Sequence, residues 1–249
     1  MNVTLESVRK AVCAVGYLTV SMAEYDRASL DAGAFDVVGT GFLIGRRRAV
    51  TCAHVIHDLR KEMKKRGFPS DRAMLQFVLP KNGLLERHGR PFQLAESDDT
   101  ADIATLEVQG PAIDIAPVRL VAHDDIPTVG EEAGLCGYAH GAVLLRRGKS
   151  VARFGPVLQR GIVAAISPFD SAEPESYLLD LVTGHAASGS PVFRFTTGDV
   201  FGVITAGQFG KTAALAVARS VYRYADGNLG ARVTSRIFPA GEKQPGVDT

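Results

Sequence analysis

Apolar residues fall in short runs rich in Val, Ile, Phe and Tyr, cut at intervals by Gly, Asp and Pro. Runs of about four to eight such residues between turn formers are the signature of strands. The pattern predicts strands over 12–20, 37–44, 48–52, 74–79, 103–108, 133–138, 157–166, 176–182, 191–195, 199–206 and 213–218. Helical periodicity is scarce. The charged stretch 56–66 predicts one short helix, and a C-terminal helix is expected to begin near Ser220. Many strands and few helices predict an all-β protein. Pro111, Pro117 and Pro127 break the pattern, dividing the chain into an N-terminal unit, 1–120, and a C-terminal unit, 121–238. Residues 239–249, rich in Gly, Pro and Lys, are expected to be a disordered tail. Residues 21–36 and 168–176 read as exposed loops, the second acidic and mobile.

Composition narrows the classes. Of 249 residues, 46% are hydrophobic, enough for a core and against disorder. A net charge of +1 gives no field to attract nucleic acid or a membrane surface. The basic runs Arg46-Arg47-Arg48 and 60–66 lack interleaved aromatics and read as solvated faces, so no nucleic acid is expected. No stretch approaches the roughly 18 apolar residues a membrane span needs. The first residues lack a basic start followed by an apolar core, so a cytoplasmic location is expected. Cys13, Cys52 and Cys136 cannot all pair among themselves and show no metal-type spacing. Cys52 and Cys136, in apolar strand-like runs, read as buried free thiols in a reducing compartment.

Three motifs carry chemistry. The run Gly184-His185-Ala186-Ala187-Ser188-Gly189-Ser190-Pro191 predicts a tight turn entering a strand. Such a turn lifts the Ser188 oxygen out of the sheet and leaves nearby N–H groups free. A serine becomes a nucleophile when a base takes its proton and donors receive the oxyanion. The base candidate is His54, in Ala49-Val50-Thr51-Cys52-Ala53-His54, after the run Gly39-Thr40-Gly41-Phe42. Imidazole is the side chain whose ordinary pKa lies near neutrality. The acid candidate is Asp102, heading the apolar run Ile103-Ala104-Thr105-Leu106. Asp98 and Asp99 compete for that role and Ser190 for the role of nucleophile. Each motif has a plainer reading: a packed core histidine, a strand-edge aspartate, a turn serine. His57, three residues after His54, suggests a metal pair with His54 or Cys52, but no third ligand is evident and no metal is expected.

The order His54, Asp102, Ser188 is that of chymotrypsin-type proteases. From about Val12 to Val221 the chain resembles trypsin-like (chymotrypsin-fold) serine proteases, the bacterial type without disulfides. The resemblance implies two six-stranded antiparallel β-barrels with a short helix after His54. His54 and Asp102 would stand in the first barrel and Ser188 in the second. It implies an intracellular serine endopeptidase working on protein or peptide substrates without a cofactor. The oxyanion hole would be the N–H groups of Ala186 and Ser188. Relatives have Gly where this chain has Ala186, because the peptide turns into a left-handed conformation. Ala there costs about 1–2 kcal/mol, so the hole is expected to be misformed at rest and completed by substrate or an activating protein partner. Ala187 replaces the Asp that secreted relatives pair with a freshly cut N-terminus, which argues against that activation. Thr183 would line the specificity pocket. Ile204, Thr205, Ala206 and Gly207 would form the strand that pairs with substrate. Val182 and Ile204 stand where basic-selective and acidic-selective relatives place charged or His side chains, which implies a small or medium apolar preference. The alternative is a pseudoprotease, a peptide-binding scaffold on the same fold.

Overall fold

The computed structural model describes residues 3–27, 33–82, 84–122, 125–139, 146–147, 150–151, 155–169, 171, 173–209 and 214–220. The helix expected to begin near Ser220 and the tail 239–249 lie outside them. Strands β1 (Val12–Leu18), β2 (Phe35–Gly45), β3 (Arg48–Thr51), β4 (Ala73–Lys81), β5 (Leu84–Asp98) and β6 (Ile103–Val108) close an antiparallel barrel in the order β1-β2-β3-β6-β5-β4. A second set comprises β7 (Glu132–Gly137), β10 (Val157–Ser167), β11 (Ser176–Leu179), β12 (Pro191–Arg194), β13 (Val200–Phe209) and β14 (Ala214–Ser220). It closes in the order β10-β11-β14-β13-β12-β7. A small hairpin, β8 (Arg146–Arg147) with β9 (Ser150–Val151), stands apart from both. The expected all-β double barrel is the observed fold.

Strand β5 is absent from the sequence pattern, and its register explains why. It pairs with β4 as far as Pro91 opposite Met74, then with β6 from Phe92 opposite Val108. Pro91 sits where the strand passes from one partner to the other, a place where a missing N–H costs little. His88 stands in this strand opposite Phe77.

Helix α1 (Val3–Ala11) buries Val8 and Ala11 on one face and pairs Glu6 with Arg9 on another. Within the expected loop 21–36 a short helix, α2 (Met22–Arg27), is held by a reciprocal cap. The Glu24 N–H donates to Ser21 Oγ, and the Ser21 N–H donates to Glu24 Oε2. Among the described residues no helix is long and apolar enough to cross a membrane.

The wall between the barrels uses both faces of its strands, with an irregularity in the β12–β13 register at Val192/Phe193 that skips Phe201. In β7, β12 and β13, Leu135, Val192, Phe201 and Ile204 fill the second barrel. Their neighbours Cys136, Phe193, Val200 and Val203 join the core of the first. Both faces are buried, which is why these strands read as near-continuous apolar runs. Arg47 donates to the Val108 and Gly110 carbonyls and Arg90 to that of Pro111, pinning the start of the connection between barrels. The run 46–48 is therefore tied into the fold, not wholly solvated.

Candidate active site

Helix α3 (Ala53–Lys65) begins three residues before the sequence pattern suggests, so His54 lies in its first turn. The residue preceding the helix, Cys52, makes no side-chain cap. A helix start leaves N–H groups unsatisfied, and here a distant residue satisfies them. The Ala53 N–H donates to the Asp102 carbonyl (3.3 Å) and the His54 N–H to Asp102 Oδ1 (2.9 Å). The other carboxylate oxygen, Oδ2, lies 2.6 Å from His54 Nδ1. A carboxylate only accepts, so Nδ1 carries the proton in this bond, and in the neutral ring Nε2 is left with the lone pair.

Asp102 reaches this position from a turn. Asp98 Oδ1 accepts the N–H groups of Thr100 and Ala101, and Asp102 follows at φ 56°, just ahead of β6. Aspartate tolerates the left-handed region better than most residues. Asp98 is thus spent on the turn. Asp99, the other competitor, stands exposed 3.9 Å from His57. The hydrogen bond to Asp102 raises the His54 pKa above its ordinary 6.5, against burial, which pulls the other way.

Ser188 is part-exposed, whereas Ser190 is fully buried with no partner for its Oγ among the described residues. Accessibility therefore favours Ser188 over its competitor. The Ser188 carbonyl accepts the Thr40 N–H at 2.8 Å, and the Gly189 N–H donates to Ile204 O at 2.7 Å. Gly189 has φ 87°, and a Cβ there would run into the Thr40 carbonyl and Thr51 Oγ1. Gly39 separates the Ser188 carbonyl from the methyls of Val55, the residue after His54. The structure thus brings His54 and Asp102 into contact and sets the Ser188 carbonyl one glycine away from helix α3. No hydrogen bond joins Ser188 Oγ to His54. In substrate-free sites such bonds are often long and tighten on binding.

The turn ahead of Ser188 is formed. The Ala187 N–H donates to the Gly184 carbonyl at 3.0 Å, and Ala186 holds φ 67°. A turn of this kind needs a left-handed third residue, the conformation an alanine resists. The backbone N–H groups of Ala186 and Ser188 donate to no group among the described residues. Ala186 thus holds the left-handed conformation despite its Cβ, and Thr40 supplies a reason. Its Oγ1 donates to the Ala186 carbonyl (2.8 Å) and accepts the Tyr138 N–H (2.9 Å). Its own carbonyl accepts Thr51 Oγ1 (2.6 Å). Each such bond contributes about 0.5–1.5 kcal/mol net, together the size of the left-handed cost at Ala186. The sequence signal for Thr40 was only a polar residue between glycines in an apolar run.

Thr40→Val should therefore leave the buried Tyr138 N–H and Ala186 carbonyl unpaired, at about 1–3 kcal/mol each. Urea unfolding should show that loss, and Thr40→Ser should recover most of it.

The remaining pocket candidates divide. Thr183 is buried beside Val182, which is 60% exposed. Ile204 packs in the second core, and both its backbone groups are used: its carbonyl by Gly189 and Cys52, its N–H by the Ser190 carbonyl. The register slips between Ile204 and Ala206, around Thr205, and Gly207 pairs with Ala216.

Two closed six-stranded barrels, with a His–Asp pair in one and a serine turn of the other set against it, define the chymotrypsin-like class. A family model described as a trypsin-like peptidase domain matches residues 39–203. The chain belongs to that family. No curated protein matches it. Among solved structures it is similar to an HtrA-type protease, AlgW, with tripeptide: 15% identity, TM-score 0.56, covering 90% of this chain and 60% of that one. This chain thus spans only 60% of that protein's length. It is similar also to Deg5 (17% identity, TM-score 0.59, 90% and 89% covered). A third is the apo protease domain of MamO from Magnetospirillum magneticum (16%, 0.55, 90% and 98%). At these identities the likeness is one of fold.

Proposed function

We propose that the protein is an intracellular serine endopeptidase. Ser188 Oγ attacks the scissile carbonyl carbon while its proton passes to His54 Nε2. The oxyanion forms against the N–H groups of Ala186 and Ser188. His54 returns the proton to the leaving amine, and water then hydrolyses the acyl-serine by the same route. Asp102 holds the His54 tautomer and stabilises the imidazolium. The observation that carries this reading is the 2.6 Å His54–Asp102 bond beside a left-handed Ala186 turn with its amides free. A substrate strand would lie along Thr205–Gly207, with its side chain near Thr183 and Val182. That setting favours a small or medium apolar residue, and the tripeptide on the AlgW relative makes an extended peptide a reasonable ligand. Three buried free cysteines agree with a reducing compartment.

A second reading, completion of the site by a partner protein or ligand, is favoured by the missing Ser188–His54 bond. A fluorophosphonate probe separates these readings and the pseudoprotease. Probe attached to Ser188, mapped by peptide mass on the protein alone, is the expected result. Attachment only in cell extract would mean a partner is required. No attachment under either condition would leave a scaffold.

A further inference from the structure

The Cys52 thiol takes no part in the chemistry just described, yet it lies against the groups that do. Its Sγ, a ring nitrogen of His54 and a carboxylate oxygen of Asp102 all lie within 4.8 Å of one another. Cys52 and His54 flank the start of α3, while Asp102 arrives from the turn between β5 and β6. The third ligand that the sequence lacks near Cys52 and His54 is therefore supplied by the fold. Thiolate sulfur, imidazole nitrogen and carboxylate oxygen are the ligand types zinc takes. We infer that Cys52, His54 and Asp102 form an inhibitory zinc site.

The geometry is close to what the ion needs. Zinc bonds of about 2.0–2.3 Å in a tetrahedron place ligand atoms roughly 3.3–3.7 Å apart. The ion would draw the most distant atoms in by about 1 Å and open the 2.6 Å His54–Asp102 bond by somewhat less. It has a way in: the His54 and Asp102 side chains are 39% and 26% exposed, while Cys52 is buried. On binding, the Cys52 sulfur releases the Ile204 carbonyl it now donates to. Its proton goes to solvent, and the proton of His54 Nδ1 is replaced by zinc and taken up at Nε2. The thiolate and the carboxylate balance the two charges of the ion. Magnesium and calcium, which favour oxygen ligands, do not suit this set.

The consequence for activity rests on the reading of His54 as the base. With zinc on Nδ1 and a proton on Nε2, the ring has no lone pair left to accept the Ser188 proton. The binding itself does not rest on that reading.

Co2+ titration of the full chain tests the site directly. A thiolate-to-cobalt charge-transfer band should appear at one equivalent and be displaced by Zn2+. It should survive Cys13→Ala with Cys136→Ala and vanish in Cys52→Ala. Loss of a direct ligand should weaken zinc by more than the roughly 10–100-fold that an outer-shell partner costs. Zinc should also slow fluorophosphonate labelling of the unaltered protein but not of Cys52→Ala, whose metal-free rate should match. Cys52→Ser, which keeps a donor to Ile204, serves if the alanine variant does not fold. No cobalt band, or a band that persists without Cys52, overturns the site. A band without probe labelling in any condition would leave the metal site standing and remove the protease reading.

Discussion

Ser188→Ala is expected to lower kcat on a peptide substrate by about a million-fold, the scale set by removing the nucleophile of comparable triads. The folded protein should barely notice. Ser188 Oγ makes no hydrogen bond among the described residues, and the contacts that hold this stretch are backbone ones from Thr40, Gly189 and Ile204. Deleting an unbonded, part-exposed hydroxyl should change stability by no more than about 0.5 kcal/mol. The variant should therefore bind peptide while failing to cut it. Turnover assays beside a urea melt would check both halves. Retained turnover would move the nucleophile elsewhere, although the nearest alternative, Ser190, is sealed from solvent.

Asp102→Asn should cost about 10,000-fold in kcat. Asparagine accepts the left-handed backbone that Asp102 adopts, so the change tests charge and tautomer more than fold. An amide can donate to Nδ1, which would leave the ring proton on Nε2 and no lone pair there to take a proton. The pH profile gives a second reading. His54 works as a base only when neutral, and Asp102 raises its pKa above 6.5. Activity of the unaltered protein should therefore rise with pH along a limb centred above that value. In the asparagine variant the residual limb should move to lower pH, since the stabilised imidazolium has lost its partner. A limb that stays in place would mean that Asp102 does not tune His54.

Much of this molecule is legible without coordinates, for physical reasons. Strands that form the wall between barrels bury both faces, so they announce themselves as apolar runs. Strand β5, part-exposed and containing Pro91, does not. The start of α3 is misplaced because its cap comes through space from Asp102, 48 positions along the chain from His54. The left-handed demand on Ala186 can be inferred from the motif. What holds it cannot, because Thr40 Oγ1 reaches the Ala186 carbonyl across 146 positions. Local sequence shows where a conformation is costly; only the tertiary fold shows what offsets the cost.

That long reach also bears on how the chain is made. Thr40 leaves the ribosome well before Ala186 and Ser188 exist, so all six strands of the first barrel are made while the acceptors of Thr40 are still unsynthesised. Until the second barrel docks, Thr40 cannot restrain Ala186 in its left-handed state. A nascent chain that stops before the second barrel therefore lacks the contact through which Thr40 holds the Ala186 turn.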